Sequence, residues 1–392
     1  ISQASGPATV TSAMSVTHAA WLAVGWLCGW LLFWRMPRLE RSRRTGGHAR
    51  RRPVDVAVIV PARDEAHALP GLLAGVVGAD DRLAEVVVVD DGSSDQTAEV
   101  ARAAGARVVA TGPAPAGTTG KSWACTTGVR ATTSRTLVFV DADVSFAPGG
   151  LTAVIDRLED RGGLVSVEPF QVVERFDERL SALFGTVSVM GTGVAALGRS
   201  APTTAFGPVL ACRRADYEAV GGHAADRGAI AEDVALAARF VQAGRPVLIE
   251  GGGDLVSFRM YPLGVRQLVE GWTKNIATGA GATPRRRLLA VVLWVGALLS
   301  SAYGLAGGLA ALADGRAATF ALAAVVALAF AAQLGVMFRQ LGSFGWWAPL
   351  AYPVLAVAFV AIFARSLYLT LVRREVSWKG RVIPLHPAPP DP

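Results

Sequence analysis

Three apolar stretches near the C-terminus constrain this chain most. Residues 288–313, 319–338 and 346–372 are each long enough to cross a membrane, since about 20 helical residues span a ~30 Å hydrocarbon core. Asp314-Gly315-Arg316 makes a very short turn between the first two. Residues 16–34 form a fourth apolar run, with Trp21, Trp26, Trp30 and Trp34 placed as membrane–water anchors. The expected N-terminal transmembrane helix covers residues 14–36. A cleaved signal peptide is the competing reading, but no small-residue cleavage site precedes the arginine cluster. Composition agrees: 52% hydrophobic against 18% charged is too apolar for an ordinary soluble protein.

The net charge of +7 is unevenly spread, with eight arginines between Arg35 and Arg52. Directly after an apolar helix, this run reads as a basic juxtamembrane linker over 37–52 that keeps the next segment of the chain in the cytoplasm. A nucleic-acid partner is therefore not expected. Arg373, Arg374, Lys379 and Arg381 come after the last apolar stretch and also favour the cytoplasm. Four simple crossings would put that tail (373–392, basic and proline-rich) outside. The three segments within 284–372 are each transmembrane or re-entrant, and this conflict implies that one is re-entrant or lies at the interface. Cys28, Cys125 and Cys212 have no metal-ligand spacing, and a disulfide framework is not expected. The chain begins with Ile1, and Met14 reads as a native start, so residues 1–13 are expected to be extraneous or disordered.

Residues 53–283 alternate between strand-like and helix-like segments. Residues 54–60, 85–89, 108–110 and 137–140 read as strands, and 66–77 and 94–104 as helices, the latter with Ser93 or Ser94 as N-cap. This order predicts an α/β domain with a mostly parallel, Rossmann-like sheet covered by helices on both faces. Ligands of such sheets bind at the carboxyl ends of strands, near a topological switch point.

Carboxylates collect at those ends. Pro61-Ala62-Arg63-Asp64-Glu65 closes the first strand and Asp90-Asp91-Gly92-Ser93-Ser94-Asp95 the second. A strand-end carboxylate can accept bonds from a base N–H and a ribose hydroxyl, although Asp, Gly and Ser also make ordinary turns. Asp141-Ala142-Asp143 supplies hard oxygen ligands for Mg²⁺ or Mn²⁺, with a diphosphate completing the shell. Gly120-Lys121 lies in a glycine- and threonine-rich loop from which the lysine could reach a phosphate. It is not a P-loop, because Pro115 stands where the first glycine belongs. Glu232-Asp233 opens a helix over 234–243. This pair either complements the helix dipole or supplies a general base, and Asp233 is favoured as the base. Residues 264–277 form an amphipathic helix whose face with Leu268 and Trp272 lies on a bilayer, lines an acceptor site or packs on the domain.

Taken in order, PARDE, DDGSSD, the TGK loop, DAD, Gly221-Gly222-His223, AED and QLVEGW resemble the family 2 glycosyltransferases, over roughly residues 54–280. The wording of Thr119-Gly120-Lys121-Ser122-Trp123-Ala124, Arg259-Met260-Tyr261-Pro262 and Val376-Ser377-Trp378-Lys379-Gly380-Arg381 is similar to the membrane-bound branch, which includes carotenoid-acid and hopanoid-associated enzymes. The resemblance implies a GT-A fold over 53–283 and inverting single displacement from a nucleotide sugar. By carry-over, Pro61, Ala62, Asp64, Glu65, Asp90, Asp91, Lys121 and Asp141 would hold the donor. Asp141 and Asp143 would hold the metal, and Asp233 would be the base. Glu232, Gly222, His223, Arg259, Trp272 and Lys274 would lie on the acceptor side or support it. Gln267 and Trp272 match the family's Q-x-x-R-W motif only loosely, since four residues separate them and Gly271 replaces the arginine. That departure fits transfer of a single sugar better than a processive synthase.

The expected protein is an integral membrane enzyme of the bacterial plasma membrane with a cytoplasmic catalytic domain. It would move a hexose from a UDP-sugar to a carotenoid acid, a polyprenyl phosphate or a hopanoid or similar lipid. A small polysaccharide synthase and an inactive membrane scaffold are the alternatives. Gly304, Gly307 and Gly308 leave homo-oligomer formation open.

Overall fold

The computed structural model describes residues 16–41, 55–115, 117–198, 201–225, 231–373, 375–378 and 381–384. Residues 1–13, most of the basic linker and most of the tail lie outside them. In chain order the elements are α1 (Val16–Leu32), β1 (Val56–Ala62), α2 (Leu69–Val76), β2 (Leu83–Asp90), α3 (Thr97–Ala103), β3 (Arg107–Ala110), α4 (Gly120–Ala131), β4 (Thr136–Val140), β5 (Val144–Phe146), α5 (Gly150–Arg161), β6 (Leu164–Glu168) and β7 (Phe170–Gln171). They continue with α6 (Ser181–Thr192), β8 (Val209–Arg213), α7 (Arg214–Ala219), α8 (Glu232–Gln242), β9 (Val247–Gly251), β10 (Val256–Phe258), α9 (Val265–Ala282), α10 (Arg285–Ala313), α11 (Ala317–Leu341), α12 (Tyr352–Tyr368), β11 (Glu375–Trp378) and β12 (Arg381–Pro384).

The main sheet has the order β3-β2-β1-β4-β8-β6-β9, parallel except at β8, which runs against both neighbours. Its strands are β-branched runs buried on both faces, as a covered parallel sheet requires. Val56, Val58, Val60, Val86, Val88 and Val138 point to the layer of α2 and α5. Ile59, Val87, Val89, Leu137 and Phe139 point to the layer of α4 and α8. The chain leaves β1 for β2 and β3, then returns to β4 on the other side of β1. That reversal opens the switch-point crevice at the ends of β1 and β4.

Ser93 and Ser94 do not cap α3, contrary to expectation. Gln96 precedes the helix without a side-chain cap. Ser93 Oγ accepts from the Asp64 N–H at 3.0 Å, and Ser94 gives both its N–H and its hydroxyl to Asp64 Oδ1. The serines tie the end of β1 to the end of β2, because Asp95 takes over the turn by accepting from Thr97 N–H.

A second apolar layer joins α1, α6, α9, α10, α11 and α12. Three helices, Arg285–Ala313, Ala317–Leu341 and the span Tyr352–Arg373, are long and apolar enough to cross a membrane. The described part of α1 has 17 residues. It packs on α10 through Gly25 and Gly29, where an added Cβ would strike Ala297 and Trp294. Gln333 knots these helices together, accepting from Trp294 Nε1 at 2.9 Å and donating to Trp26 O at 2.7 Å. Gly308 lies against Ala323 and Phe320 of α11, so its close approach is made within the chain.

Both flanks of α12 return to the α/β domain. Before it, Ser343 N–H donates to Gln171 O at 2.9 Å, and Ser343 Oγ accepts from Val173 N–H. Near its end, Ser366 Oγ donates to Thr273 O of α9 at 2.6 Å.

Candidate active site

The carboxylates singled out at the strand ends converge on the crevice. Asp141 follows β4, and its backbone is held by Asp141 N–H to Pro208 O at 2.9 Å. Lys121 sits in the first turn of α4, not in a loop. Thr119 caps that helix by accepting from Ser122 N–H. The Lys121 ammonium meets Asp141 Oδ1 at 2.7 Å and Glu232 Oε1 at 3.3 Å. Burial opposes its charge, but these two carboxylates hold its pKa well above the lysine value. In this arrangement Lys121 bridges two acidic side chains of the crevice floor.

Burial pushes the Asp143 carboxyl up to about 7, and the charges of Asp141 and Glu65 add to it. Burial would also raise Glu232, yet Lys121 and Lys274 hold it below the usual range. Its neighbour Asp233 behaves oppositely: burial and the Glu232 charge carry it to about 6. Gly207 allows that approach, because a Cβ there would lie 3.1 Å from Asp233 Oδ2. Two adjacent carboxyls on one helix turn are thus driven apart in basicity, Glu232 by two lysines and Asp233 by burial and the Glu232 charge.

The nucleoside side is built from turns. Asp64 has a φ of +53°. The Ser94 backbone N–H, the largest influence on it, helps hold its carboxyl below the usual value. Glu65 N–H donates to Thr97 Oγ1. Asp90 Oδ1 accepts from Ser93 N–H at 2.9 Å, which is turn chemistry. Asp91 accepts from Thr111 Oγ1 at 3.3 Å and faces Arg63 at 4.0 Å. Pro61 and Ala62 end β1 beside Val89 and Asp90.

The acceptor-side set divides. His223 is buried beneath the floor, its Nδ1 2.9 Å from the Tyr217 hydroxyl, and burial lowers it to about 4. Gly222 makes room for the Tyr217 ring. His223 lies within the electrostatic reach of Glu232. Arg259 is clamped to Glu174 at 2.6 Å and Glu178 at 2.8 Å, fixing the loop before α6. Trp272 faces inward, stacked on Phe184 and donating to Ser181 Oγ at 3.0 Å. The face with Leu268 and Trp272 packs inward, in the apolar layer that α9 shares with α6 and α12.

Two residues outside the expected site set join it: Glu168, which no motif marks, and Tyr261, which lies in the Arg259–Pro262 run. Glu168 ends β6, and burial followed by the Asp233 charge raises it to about 8. A carboxylate closing Leu-Val-Ser-Val-Glu is the same signal as Asp90, but no second acidic residue marks it. Tyr261 has a φ of +58° and is buried. Burial and the nearby Asp143 and Glu168 raise its phenol. Gly271 is required beneath its ring, where a Cβ would come within 2.2 Å of the ring carbons. Among the described residues no cluster of three or more His, Cys, Asp or Glu side chains is arranged to enclose a metal.

The family model for Glycosyl transferase family 2 matches residues 57–192. The 4,4'-diaponeurosporenoate glycosyltransferases of two Staphylococcus aureus strains are each 34% identical to this chain, over 360 residues (90% of this chain and 93% of the relative) and 366 residues (92% and 95%). The chain belongs to the family 2 glycosyltransferases. As a membrane-associated member of that family, it shares its fold with the mannosyltransferase PcManGT from Pyrobaculum calidifontis in complex with GDP-Man and Mn2+. That likeness has a TM-score of 0.52 at 20% identity, covering 89% of this chain and 96% of the other. The GT-A reading of the sheet and helices holds. The family also gives the crevice its chemistry, which is glycosyl transfer.

Proposed function

We propose that this family 2 enzyme moves a single hexose from a UDP-sugar to the carboxylate of a carotenoid acid embedded in the membrane. The observation that carries this reading is the junction at Tyr261. Its phenol lies in the field of Asp143 and Glu168, while its ring packs with Trp272 in the same apolar layer as α10, α11 and α12. A polar donor crevice and the apolar layer of the membrane-length helices therefore meet at one side chain. The names of the curated relatives support an acceptor ending in a carboxylate.

An acceptor oxygen attacks the anomeric carbon from the face opposite the diphosphate. The new C–O bond forms as the bond to the phosphate oxygen breaks, and the electron pair leaves with the nucleoside diphosphate. Asp64, Glu65 and Asp91 orient the nucleoside from the ends of β1 and β2. Asp141 and Asp143 would hold Mg²⁺ or Mn²⁺, since Asp143 sits half-buried among acidic charge that a cation would offset. Such an ion supplies neutralisation of the departing diphosphate. Lys121 fixes Asp141 and Glu232 in place through its two ion pairs. Glu168, at about 8, is protonated at neutral pH, so an anionic acceptor meets one fewer negative charge. Asp233, at about 6, is ionised there and placed to take a proton when the acceptor is a hydroxyl.

The test is nucleotide release by the full-length protein with UDP-glucose, UDP-galactose, UDP-GlcNAc or GDP-mannose. Each is offered with Mn²⁺, Mg²⁺ or EDTA, and with or without carotenoid acid. Release from a UDP-hexose that needs both the metal and the carotenoid is the expected result. A donor preference for GDP-mannose, or release indifferent to EDTA, removes the corresponding part of the proposal.

The proposed orientation rests on the ends of α12. With α1 as a further span, α10 and α11 cross as a pair joined by Asp314–Arg316, while the segment 343–373 enters and returns on the catalytic side. This keeps Arg35, Arg38, Arg285, Arg286, Arg287 and Arg373 in the cytoplasm and removes the charge conflict of four crossings. A fluorescent protein fused after the tail is expected to fluoresce. A phosphatase inserted at Gly315 is expected to be active outside. Phosphatase activity at the C-terminus would rule out the re-entrant path.

A further inference from the structure

A cavity of about 600 Å³ opens where α1 and α11 meet the catalytic domain, lined by Trp30, Trp34, Arg35, Arg38, Val336, Arg339 and Gln340. It shares no lining residue with the donor crevice, and no step above uses it. Its walls are held in place. Met36 N–H donates to Gln340 Oε1 at 2.9 Å, clamping the segment after α1 to α11. Trp34 and Arg35 N–H both donate to Ala195 O, at 2.7 and 3.1 Å. Leu39 N–H to Gly251 O and Gly251 N–H to Pro37 O then fasten that segment to the edge of β9.

The chemistry of the lining is one-sided. Three arginines line it and, among the described residues, no acidic residue does. The carboxylate that senses Arg38 is Asp254, whose ion pair is with Arg41 at 3.1 Å. Arg339 spends Nε on Gly335 O at 3.0 Å. Trp30 and Trp34 stand edge to face with centroids 5.8 Å apart, and Trp34 is 55% exposed. Indoles with one apolar body and one polar edge favour the headgroup level of a bilayer. Guanidinium forks match phosphate oxygens in pairs.

We propose that this cavity binds the phosphodiester headgroup of an anionic membrane phospholipid. The arginines would take the phosphate oxygens, and the two tryptophans would flank the glycerol and the upper acyl chains. Because the lining residues come from α1, the segment after it and α11, the bound lipid would brace the membrane helices against the sheet. The proposal needs α1 and α11 in a bilayer but not the transfer reaction, so it stands or falls separately from the proposed activity.

The full chain in detergent is offered equal phosphatidylglycerol and phosphatidylcholine, and bound lipid is read by native mass spectrometry. The wild-type protein is expected to retain phosphatidylglycerol preferentially. R35Q and R339Q are each expected to reduce that retention about fivefold, the worth of one arginine near an anionic surface. Arg316→Gln, in the turn between α10 and α11, is expected to leave retention unchanged. No preference in the wild-type protein, which needs no variant to fold, overturns the proposal. A preference that survives R35Q and R339Q together also overturns it. Competition by millimolar inorganic phosphate as effective as that by the lipid would identify a small-anion site and overturn the lipid as its occupant.

Discussion

Asp233→Asn is expected to reduce transfer to a hydroxyl acceptor by about 10²–10⁴-fold, the usual worth of a positioned base. Transfer to a carotenoid carboxylate is expected to fall by less than about tenfold, since such an acid is already ionised near neutrality. The reason lies in the turn that opens α8. Burial and Glu232 raise Asp233 to about 6. A base of that pKa is ionised at pH 7 yet strong enough to accept a proton. As pH falls through 6 Asp233 is protonated, so hydroxyl transfer declines there, and the Asn variant loses that acid limb. Parallel initial rates with a carotenoid acid and its alcohol, across pH 5 to 8, read both effects. Equal losses with the two acceptors would sink the assignment of Asp233 as base.

Lys121→Met is expected to damage both stability and catalysis. The ammonium is the shared counter-ion of Asp141 and Glu232, whose side chains are 29% and 10% exposed. Removing one partner of a buried pair costs about 3–5 kcal/mol. The one-third exposure of Lys121 discounts this to roughly 2 kcal/mol. Without Lys121, Glu232 loses an influence that keeps it ionised, and the contrast between Glu232 and Asp233 shrinks. Turnover is expected to fall by about 10²-fold or more, in the range of a lost charge-positioning group. Thermal unfolding in detergent and donor titration separate the two effects. A variant as stable as the parent and still active would show that Lys121 is a surface lysine with incidental contacts.

Much of this architecture is legible in the chain itself. The strands can be read because Val86–Val89 and the run 137–140 are short, β-branched and closed by acidic turns. That pattern is local, and it places carboxylates at strand ends whatever else the fold does. The long apolar runs are legible for the same reason: no tertiary contact is needed to see that 26 residues without charge resist water. The ordered motifs indicate the family, and the similarity to known family 2 enzymes bears this out.

The tertiary structure decided what depends on distance across the sheet. That Lys121 serves Asp141 and Glu232 could not be read from a residue separated from its partners by 20 and 111 positions. Ser93 and Ser94 look like caps because their own neighbours permit it, and only the approach of β1 gives Asp64 to them instead. Glu168 carries no motif, and nothing in the Arg259–Pro262 run marks Tyr261 as a site residue; burial and neighbouring carboxylates make both unusual. That Arg259 pairs with Glu174 and Glu178 emerges only once the fold brings them together. The path of α12 is open in the sequence, since a largely apolar helix of 22 residues is long enough to cross a membrane. The re-entrant path proposed for it rests on Ser343 at Gln171 and Ser366 at Thr273, because a segment tied at both ends to one domain begins and ends on one side. Sequence determines which groups are available and where the chain turns. Their pKa values and partners arise from burial and proximity, which exist only once the chain has folded.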